Sequence, residues 1–378
     1  METLTRSLYP VSTEIGAALA LSRTRGIGSA TVRLLMDRHG SALAALERAP
    51  DSLDLADKVR LEFVRAQKRE PFSRQAERLA EQAQRELPKG ARILSYRGPG
   101  YPVQLRRLHD PPIVLWAQGP LPIAASRAVA IVGTRSATEA GRRLACRIST
   151  ELASGGIRVV SGLARGIDSS AHRGALAAGG ETLAVLGSGL NFEYPRLNRP
   201  LYAELRSRGV VLTEFEPTVR PAPHRFPQRN RIVAALCDAV LVVQAGATSG
   251  AHITATHALD IGVDVLACPG PVDLVASEGC HSLLKDGAGL VTSAKDVFRA
   301  LDWIFPLRDS VASNAAEKQI AVDGVASAIV DRLVEGPACL DELARLVGDP
   351  GLAAATLGRL EAFGRVRAGP GTSFEHVI

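Results

Sequence analysis

Between residues 12 and 70, apolar positions recur at helical spacing, as in Ile15-Ala18-Leu19 and Val32-Leu35-Met36, with Gly26-Ile27-Gly28 breaking the first pair apart. The polar stretch from Pro71 to Gly90 predicts a further helix leading out of this region. From Val129 the texture changes to short apolar runs, each ending in glycine or a polar turn and followed by a helix-like stretch. The runs are Val129–Val132, Arg158–Val160, Thr182–Leu186, Val210–Leu212, Val240–Val243 and Val263–Ala267. They lack polar alternation, which predicts strands buried on both faces, hence an α/β fold with a parallel sheet and crossover helices. Residues 305–324 lack periodicity and read as a linker. Beyond them come helix (Val325–Val334), Gly336-Pro337, helix (Asp341–Val347), a Gly348-Asp349-Pro350-Gly351 turn, helix (Ala353–Phe363) and two extended pieces around Pro370-Gly371. That order predicts a winged helix over 325–378.

Composition adds little to this picture, but charge adds more. With 378 residues, 46% hydrophobic and 22% charged, the chain fits two or three folded units and neither disorder nor a membrane body. No apolar stretch approaches the ~18 residues of a spanning helix and no leader opens the chain, so a cytoplasmic protein with no membrane partner is expected. Cys146, Cys237, Cys268, Cys280 and Cys339 are scattered and never spaced as CxxC, which disfavours a disulfide framework or a zinc site. Residues 1–118 carry 19 Lys+Arg against 13 Asp+Glu, residues 119–300 carry 19 against 15, and residues 301–378 carry 7 against 11. A polyanion should therefore meet the front of the molecule. Only six of the 45 basic residues are lysine, which fits both a GC-rich codon bias and a preference for guanidinium forks on phosphate.

Parallel sheets place ligands beyond the carboxyl ends of their strands. There this sequence has Gly133-Thr134-Arg135, Ser161-Gly162-Leu163-Ala164-Arg165-Gly166, Gly187-Ser188-Gly189, Thr248-Ser249-Gly250 and Pro269-Gly270-Pro271. No strand is followed by GxGxxG and no Gly-Lys pair exists for GxxxxGK[ST], so dinucleotide binding and P-loop hydrolysis are both disfavoured. Small loops opening helices, with Arg135 and Arg165 among them, suit phosphate; the alternative is that Arg135 pairs with a local carboxylate such as Glu139. The Gly26-Ile27-Gly28 turn resembles a helix-hairpin-helix unit, whose amides face phosphate, and fits a plain packing turn equally well.

From Pro195 to Arg231 stand eight arginines (196, 199, 206, 208, 220, 225, 229 and 231) against Glu204, Glu214 and Glu216, close to Tyr194, Tyr202, Phe215 and Phe226. Basic residues interleaved with aromatics are what single strands use, guanidinium groups tracking the backbone while rings stack on bases. GxSxG, HExxH and PGGxGT are absent, so no catalytic residue is assigned. Asp168 and His172 stand four apart as a catalytic pair would, but Asp168 reads better as a helix N-cap. His252 and His257, five apart, do not share a helix face, so no metal and no cofactor is expected. Cys237 and Cys268 read as small core residues.

Together these residues resemble the DNA-processing protein A family, also called Smf, of bacterial transformation proteins. The resemblance runs through Tyr101-Pro102, Leu105, Asp110-Pro111-Pro112, Ala130-Ile131-Val132-Gly133-Thr134-Arg135, Val160 to Asp168, Ala171-His172, and Tyr194-Pro195 with Asn198. It continues through Phe226-Pro227-Gln228-Arg229-Asn230-Arg231-Ile232, Ser249-Gly250, Thr254-Ala255, Pro269-Gly270 and Gly279-Cys280. It implies a helical N-terminal domain (1–90, helix-hairpin-helix or SAM-like), an extended Rossmann-like core (91–304) and the winged helix (325–378). It also implies a non-enzymatic homodimer that binds single-stranded DNA and loads the RecA recombinase onto strands coated by single-strand-binding protein, in natural transformation. The family's phosphate-binding arginine falls on Arg135 and its FPxRNR motif on Phe226 to Arg231. With the glycine loops, the expected binding set is Gly133, Thr134, Arg135, Ser161, Gly162, Arg165, Gly166, Phe226, Gln228, Arg229, Asn230, Arg231, Ser249 and Gly250. Departures are Ala251-His252 after Ser249-Gly250, Gln244 where an acid is common, and His281 in place of Asn. The rival readings are a nucleotide or phosphoribosyl hydrolase on a related sheet, which needs a carboxylate at the loop mouths, and a transcription regulator acting through the winged helix.

Overall fold

The computed structural model describes residues 11–52, 68, 70–120, 122–123, 127–304, 325–326, 328–334, 336–362, 366–369 and 373–376; the expected linker, 305–324, lies outside them. The chain divides into two compact units, 1–306 and 307–378. In the first, strands β1 (Ala91–Ser95), β2 (Val114–Gln118), β3 (Ala128–Gly133), β4 (Arg158–Ser161), β5 (Thr182–Val185), β6 (Val210–Thr213), β7 (Ala239–Gln244), β8 (Asp264–Ala267) and β9 (Gly289–Leu290) form one sheet. Its order is β1-β2-β6-β5-β4-β3-β7-β8-β9.

The six apolar runs are β3 to β8, and all of them pair in parallel. Their side chains alternate between two apolar layers, which is why no polar alternation shows in the sequence. Val129 and Ile131 join Ile148, Leu152, Ala171 and Ala175 on one face. Ala128, Ala130 and Val132 join Ile232, Val233 and Ala255 on the other. Strands β1 and β2, at one side of the sheet, are antiparallel, β2 to β6 and β1 to β2. Among the described residues no crossover helix follows either strand, so the strand-then-helix texture that marks the others is missing.

Among the described residues, helices α1 (Val11–Arg23), α2 (Ser29–His39), α3 (Ala42–Ser52) and α4 (Phe72–Glu86) precede the sheet. Their buried faces share one apolar cluster with Leu94 and Trp116 of β1 and β2. The Arg23 guanidinium reaches Glu216 at 2.7 Å and ties α1 to the loop after β6. Helices α5 (Glu139–Ser154), α6 (Ile167–Ala177), α7 (Arg199–Arg208), α8 (Arg225–Ala235), α9 (Ala251–Asp260), α10 (Glu278–Lys285) and α11 (Ala294–Ala300) lie between or after the parallel strands.

The second unit has helical residues at 328–334, strand Ala338–Cys339, helices Leu340–Val347 and Pro350–Ala362, and strands Val366–Ala368 and Ser373–His376. Ser373–His376 is the middle strand of an antiparallel three-stranded sheet around a core of Ile329, Leu333, Leu343, Leu357 and Val366. The first strand is too short to show as an apolar run. Among the described residues no helix is long and apolar enough to cross a membrane.

Helices α5 and α6 approach so closely that a Cβ on Gly174 would lie 2.2 Å from the Cys146 carbonyl oxygen. Backbone atoms on both helices would have to move. We expect Gly174→Ala to destabilise the first unit by about 1–3 kcal/mol, as overpacking does, measured by urea unfolding.

Candidate functional site

The strand order reverses at β3, which has β4 on one side and β7 on the other. A crevice outside the carboxyl ends is expected at such a switch point. A cavity of about 630 Å³ lies there, walled by the loop after β3, the 162–168 segment, the start of α8 and the loop after β7. Arg135 and Phe226 both line it, with the Arg135 guanidinium carbon 5.0 Å from the Phe226 ring centroid. Glu139 is engaged instead by Arg142 at 3.3 Å and Arg143 at 3.7 Å. Among the described residues Arg135 makes no ion pair, and its side chain is exposed. Phe226 also meets Tyr194, the ring centroids 5.6 Å apart. It has room because residue 187 is glycine: a Cβ there would come within 2.7 Å of the ring.

The 162–166 loop is held from beneath by two buried charges. Asp168 Oδ2 accepts from the backbone N–H of Gly162 at 3.2 Å and of Ala164 at 3.3 Å. Two loop amides are thus already satisfied by the protein's own carboxylate. The N-cap reading of Asp168 is corrected accordingly: the N-cap residue is Gly166, and Asp168 braces the preceding loop. Burial pushes the Asp168 carboxyl upward, opposed first by Arg229 and then by those two N–H groups. Arg229 is 3% exposed, donates through Nη1 to the Val185 carbonyl and packs against Gly162, where a Cβ would meet its guanidinium within 2.5 Å. Burial lowers its pKa to about 10, with Asp168 opposing, so it stays charged at neutral pH.

Two further contacts complete the loop. Leu163 takes the left-handed conformation at φ 56°, and Asn198 Nδ2 donates to its carbonyl at 3.0 Å. Gly166 has φ 78°, and a Cβ there would lie 2.4 Å from the Thr134 carbonyl oxygen, so the β3 and β4 loops interlock. Exposed Arg165 lines an adjoining recess of about 290 Å³ with Tyr194, Leu197 and Phe226.

Of the expected residues, Gly133, Thr134, Arg135, Gly162, Phe226, Arg229, Asn230, Ser249 and Gly250 line the main cavity. Asn230 Nδ2 donates to the Gly250 carbonyl at 3.3 Å and joins the two walls. Four expected residues fall elsewhere. Ser161 is buried, its hydroxyl donating to the Ile131 carbonyl at 2.6 Å. Gln228 is exposed outside the cavity lining, and Gly166 is the buried hinge between loops. Arg231, expected in the binding set with Arg229, faces away, ion-paired with Glu214 at 2.6 Å and Asp110 at 3.2 Å, and does not line the cavity. Of the aromatics, Tyr202 is fully buried, and its hydroxyl donates to the Tyr194 carbonyl at 2.8 Å.

Tyr194, Asp168 and Gln244 build the site although the expected binding set left them out. Gln244 Oε1 accepts from the Thr138 N–H at 2.8 Å and its Nε2 donates to Thr138 Oγ1 at 3.0 Å, fixing the start of α5. Its departure from the family's usual acid was the signal. Cys268 and Cys280 are buried, their thiols pushed up to about 12 and about 11 by desolvation.

The fold and crevice define an extended Rossmann-like α/β protein with a switch-point cavity. Residues 92–302 match the family described as DNA recombination-mediator protein A, and residues 13–70 match its DprA-like N-terminal HHH domain. A putative DNA processing protein DprA of Mycobacterium tuberculosis is 39% identical over 323 residues, covering 79% of this chain and 83% of that protein. Protein Smf of Escherichia coli is 42% identical over 204 residues, 54% of each chain. The structure of DNA processing protein A from Streptococcus pneumoniae matches with TM-score 0.66 at 29% identity, over 80% of this chain and all of that one. That of the Helicobacter pylori protein, described for its single-stranded DNA binding mode, matches with TM-score 0.52 at 29% identity, over 57% and 97%. The chain belongs to the DNA recombination-mediator protein A (DprA/Smf) family.

His172 does not face Asp168. Its Nδ1 lies 2.7 Å from Thr182 Oγ1, whose own proton goes to the Val159 carbonyl, so His172 carries its proton on Nδ1. Nε2 is then a buried atom without a partner among the described residues, and burial holds the pKa down to about 3 from 6.5. The unfolded histidine gains a proton as pH falls below 6.5 while the folded one stays neutral, so its contribution to stability is lost downward from there. We expect a loss of about 1.4 kcal/mol per pH unit between about pH 6 and 4, read by urea unfolding. His172→Gln should remove that slope.

Proposed function

We propose that this chain is a single-stranded DNA-binding recombination mediator. In this reading it protects incoming strands and loads the RecA recombinase onto strands covered by single-strand-binding protein during natural transformation. It works as a cytoplasmic homodimer without cofactor or catalytic step. The observation that carries the reading is Arg135: an exposed guanidinium with no ion pair among the described residues, seated on the Phe226 ring at the mouth of the switch-point cavity. A guanidinium tracks the phosphates of an unpaired strand while a ring receives a base. The acid that lines this mouth is Asp168, whose Oδ2 is held by two loop amides, which favours a bracing role over that of a hydrolytic carboxylate. The proposed set for DNA is accordingly Arg135, Phe226, Arg165, Asn230, Ser249 and Gly250, with Arg229 and Asp168 acting beneath them.

Fluorescence anisotropy with labelled oligonucleotides tests this. Wild type should prefer single strands to duplex and weaken steeply with salt. Arg135→Ala should cost roughly 1–3 kcal/mol on all sequences alike, and Phe226→Ala about 1–3 kcal/mol if the ring stacks on a base. Unchanged affinity in folded Arg135→Ala protein would overturn the assignment.

For residues 325–378 we propose a winged-helix fold used for protein interaction or self-association. A duplex-reading helix needs a basic face, whereas this tail is acidic and Arg367 is paired with Glu375 at 3.0 Å. Deleting 325–378 should leave single-strand affinity within a few-fold in the same anisotropy assay, and a large loss would assign the tail to DNA.

A further inference from the structure

Tyr194 lines the main cavity, its adjoining recess and also a third space, a polar cleft of about 680 Å³ on its other side. Pro221 is likewise shared between the main cavity and this cleft. Arg196, Arg199, Arg206 and Arg220 line the cleft, with Glu193 as its acid. Glu193 is divided between Arg199 at 3.1 Å and Arg206 at 2.5 Å, so the cleft keeps a surplus of positive charge. Arg220 sits over the Phe192 ring, 5.9 Å from its centroid, repeating across Tyr194 the pairing of Arg135 with Phe226. Two buried polar atoms at the cleft, Arg206 Nε and Gln118 Oε1, have no partner among the described residues.

We propose that this cleft is a second subsite for the same DNA strand. Resting on the single-strand reading above, the strand leaves the main cavity, turns about Tyr194 and lays its next phosphates against Arg199, Arg206 and Arg220. Phe192 and Gln118 meet the accompanying base. A helical duplex cannot bend about one tyrosine, so the second subsite adds to the preference for unpaired strands as well as to affinity.

Oligonucleotide length separates the two subsites. Arg199 and Arg220 are exposed, so the double variant Arg199→Ala/Arg220→Ala should fold normally. With an oligonucleotide of about 20 nucleotides, longer than one single-strand site, affinity should fall roughly five- to twentyfold. The dependence on log salt should become shallower by about 1.4, the value for two phosphates on a single strand. With a dinucleotide, short enough to stay within the main cavity of about 630 Å³, affinity should stay within about twofold. Equal losses at both lengths, or none at either, would overturn the proposal. So would unchanged long-strand binding with lost binding of a polyglutamate peptide, which would assign the cleft to an acidic protein. Failure of wild type to bind any single strand would bring down the proposed function first, and this inference with it.

Discussion

A parallel sheet covered on both faces confines polar side chains to the ends of its central strands, and the placement of everything else follows from that constraint. Val129, Ile131, Val240 and Leu241 are fully buried, so charge and hydrogen-bonding capacity collect where the strands end. The order reversal at β3 then opens a crevice at those ends, and the glycine loops that turn into α5, α6 and α9 line it. Glycine matters in that setting as much for the space it leaves as for its backbone freedom, since Gly162 admits the Arg229 guanidinium and Gly187 the Phe226 ring.

Many arginines in this chain act on the protein itself. Arg107 donates to the carbonyls of Ala235 at 2.7 Å and Cys237 at 2.8 Å, and Arg158, 2% exposed, to those of Pro122 at 2.8 Å and Ile123 at 2.7 Å. A planar fork can satisfy several carbonyls at once, which a lysine ammonium does less well. Structural demand therefore accounts for part of the preference for arginine over lysine, whatever the codon bias. It also explains why a run such as Arg229-Asn230-Arg231 has one face toward the cavity and another toward Asp110 and Glu214.

The parallel strands were legible because burial on both faces writes an unbroken apolar run, and the loops because glycine and small polar residues end each run. The antiparallel strands β1 and β2 were not, since an antiparallel pair under helices leaves no strand-then-helix signature. In the site, Arg135 and Phe226 were legible by residue type and by resemblance. The role of Arg231 was hidden because its partners Asp110 and Glu214 lie far away in sequence and only the fold brings them together. Asp168 was misread for a related reason: a carboxylate near a helix start fits an N-cap, and only geometry shows it reaching back to Gly162 and Ala164.

Gln244 gives the cavity a property that an acid in its place would not. Its amide grips Thr138 as both acceptor and donor, while its own backbone carbonyl accepts from the Thr134 N–H at 2.7 Å. A carboxylate could accept there but not donate, and it would set a full negative charge behind the loop that carries Arg135. The neutral amide keeps α5 anchored and leaves the electrostatic potential at the mouth undiminished. Having no proton to gain or lose, it also makes this anchorage indifferent to acidity.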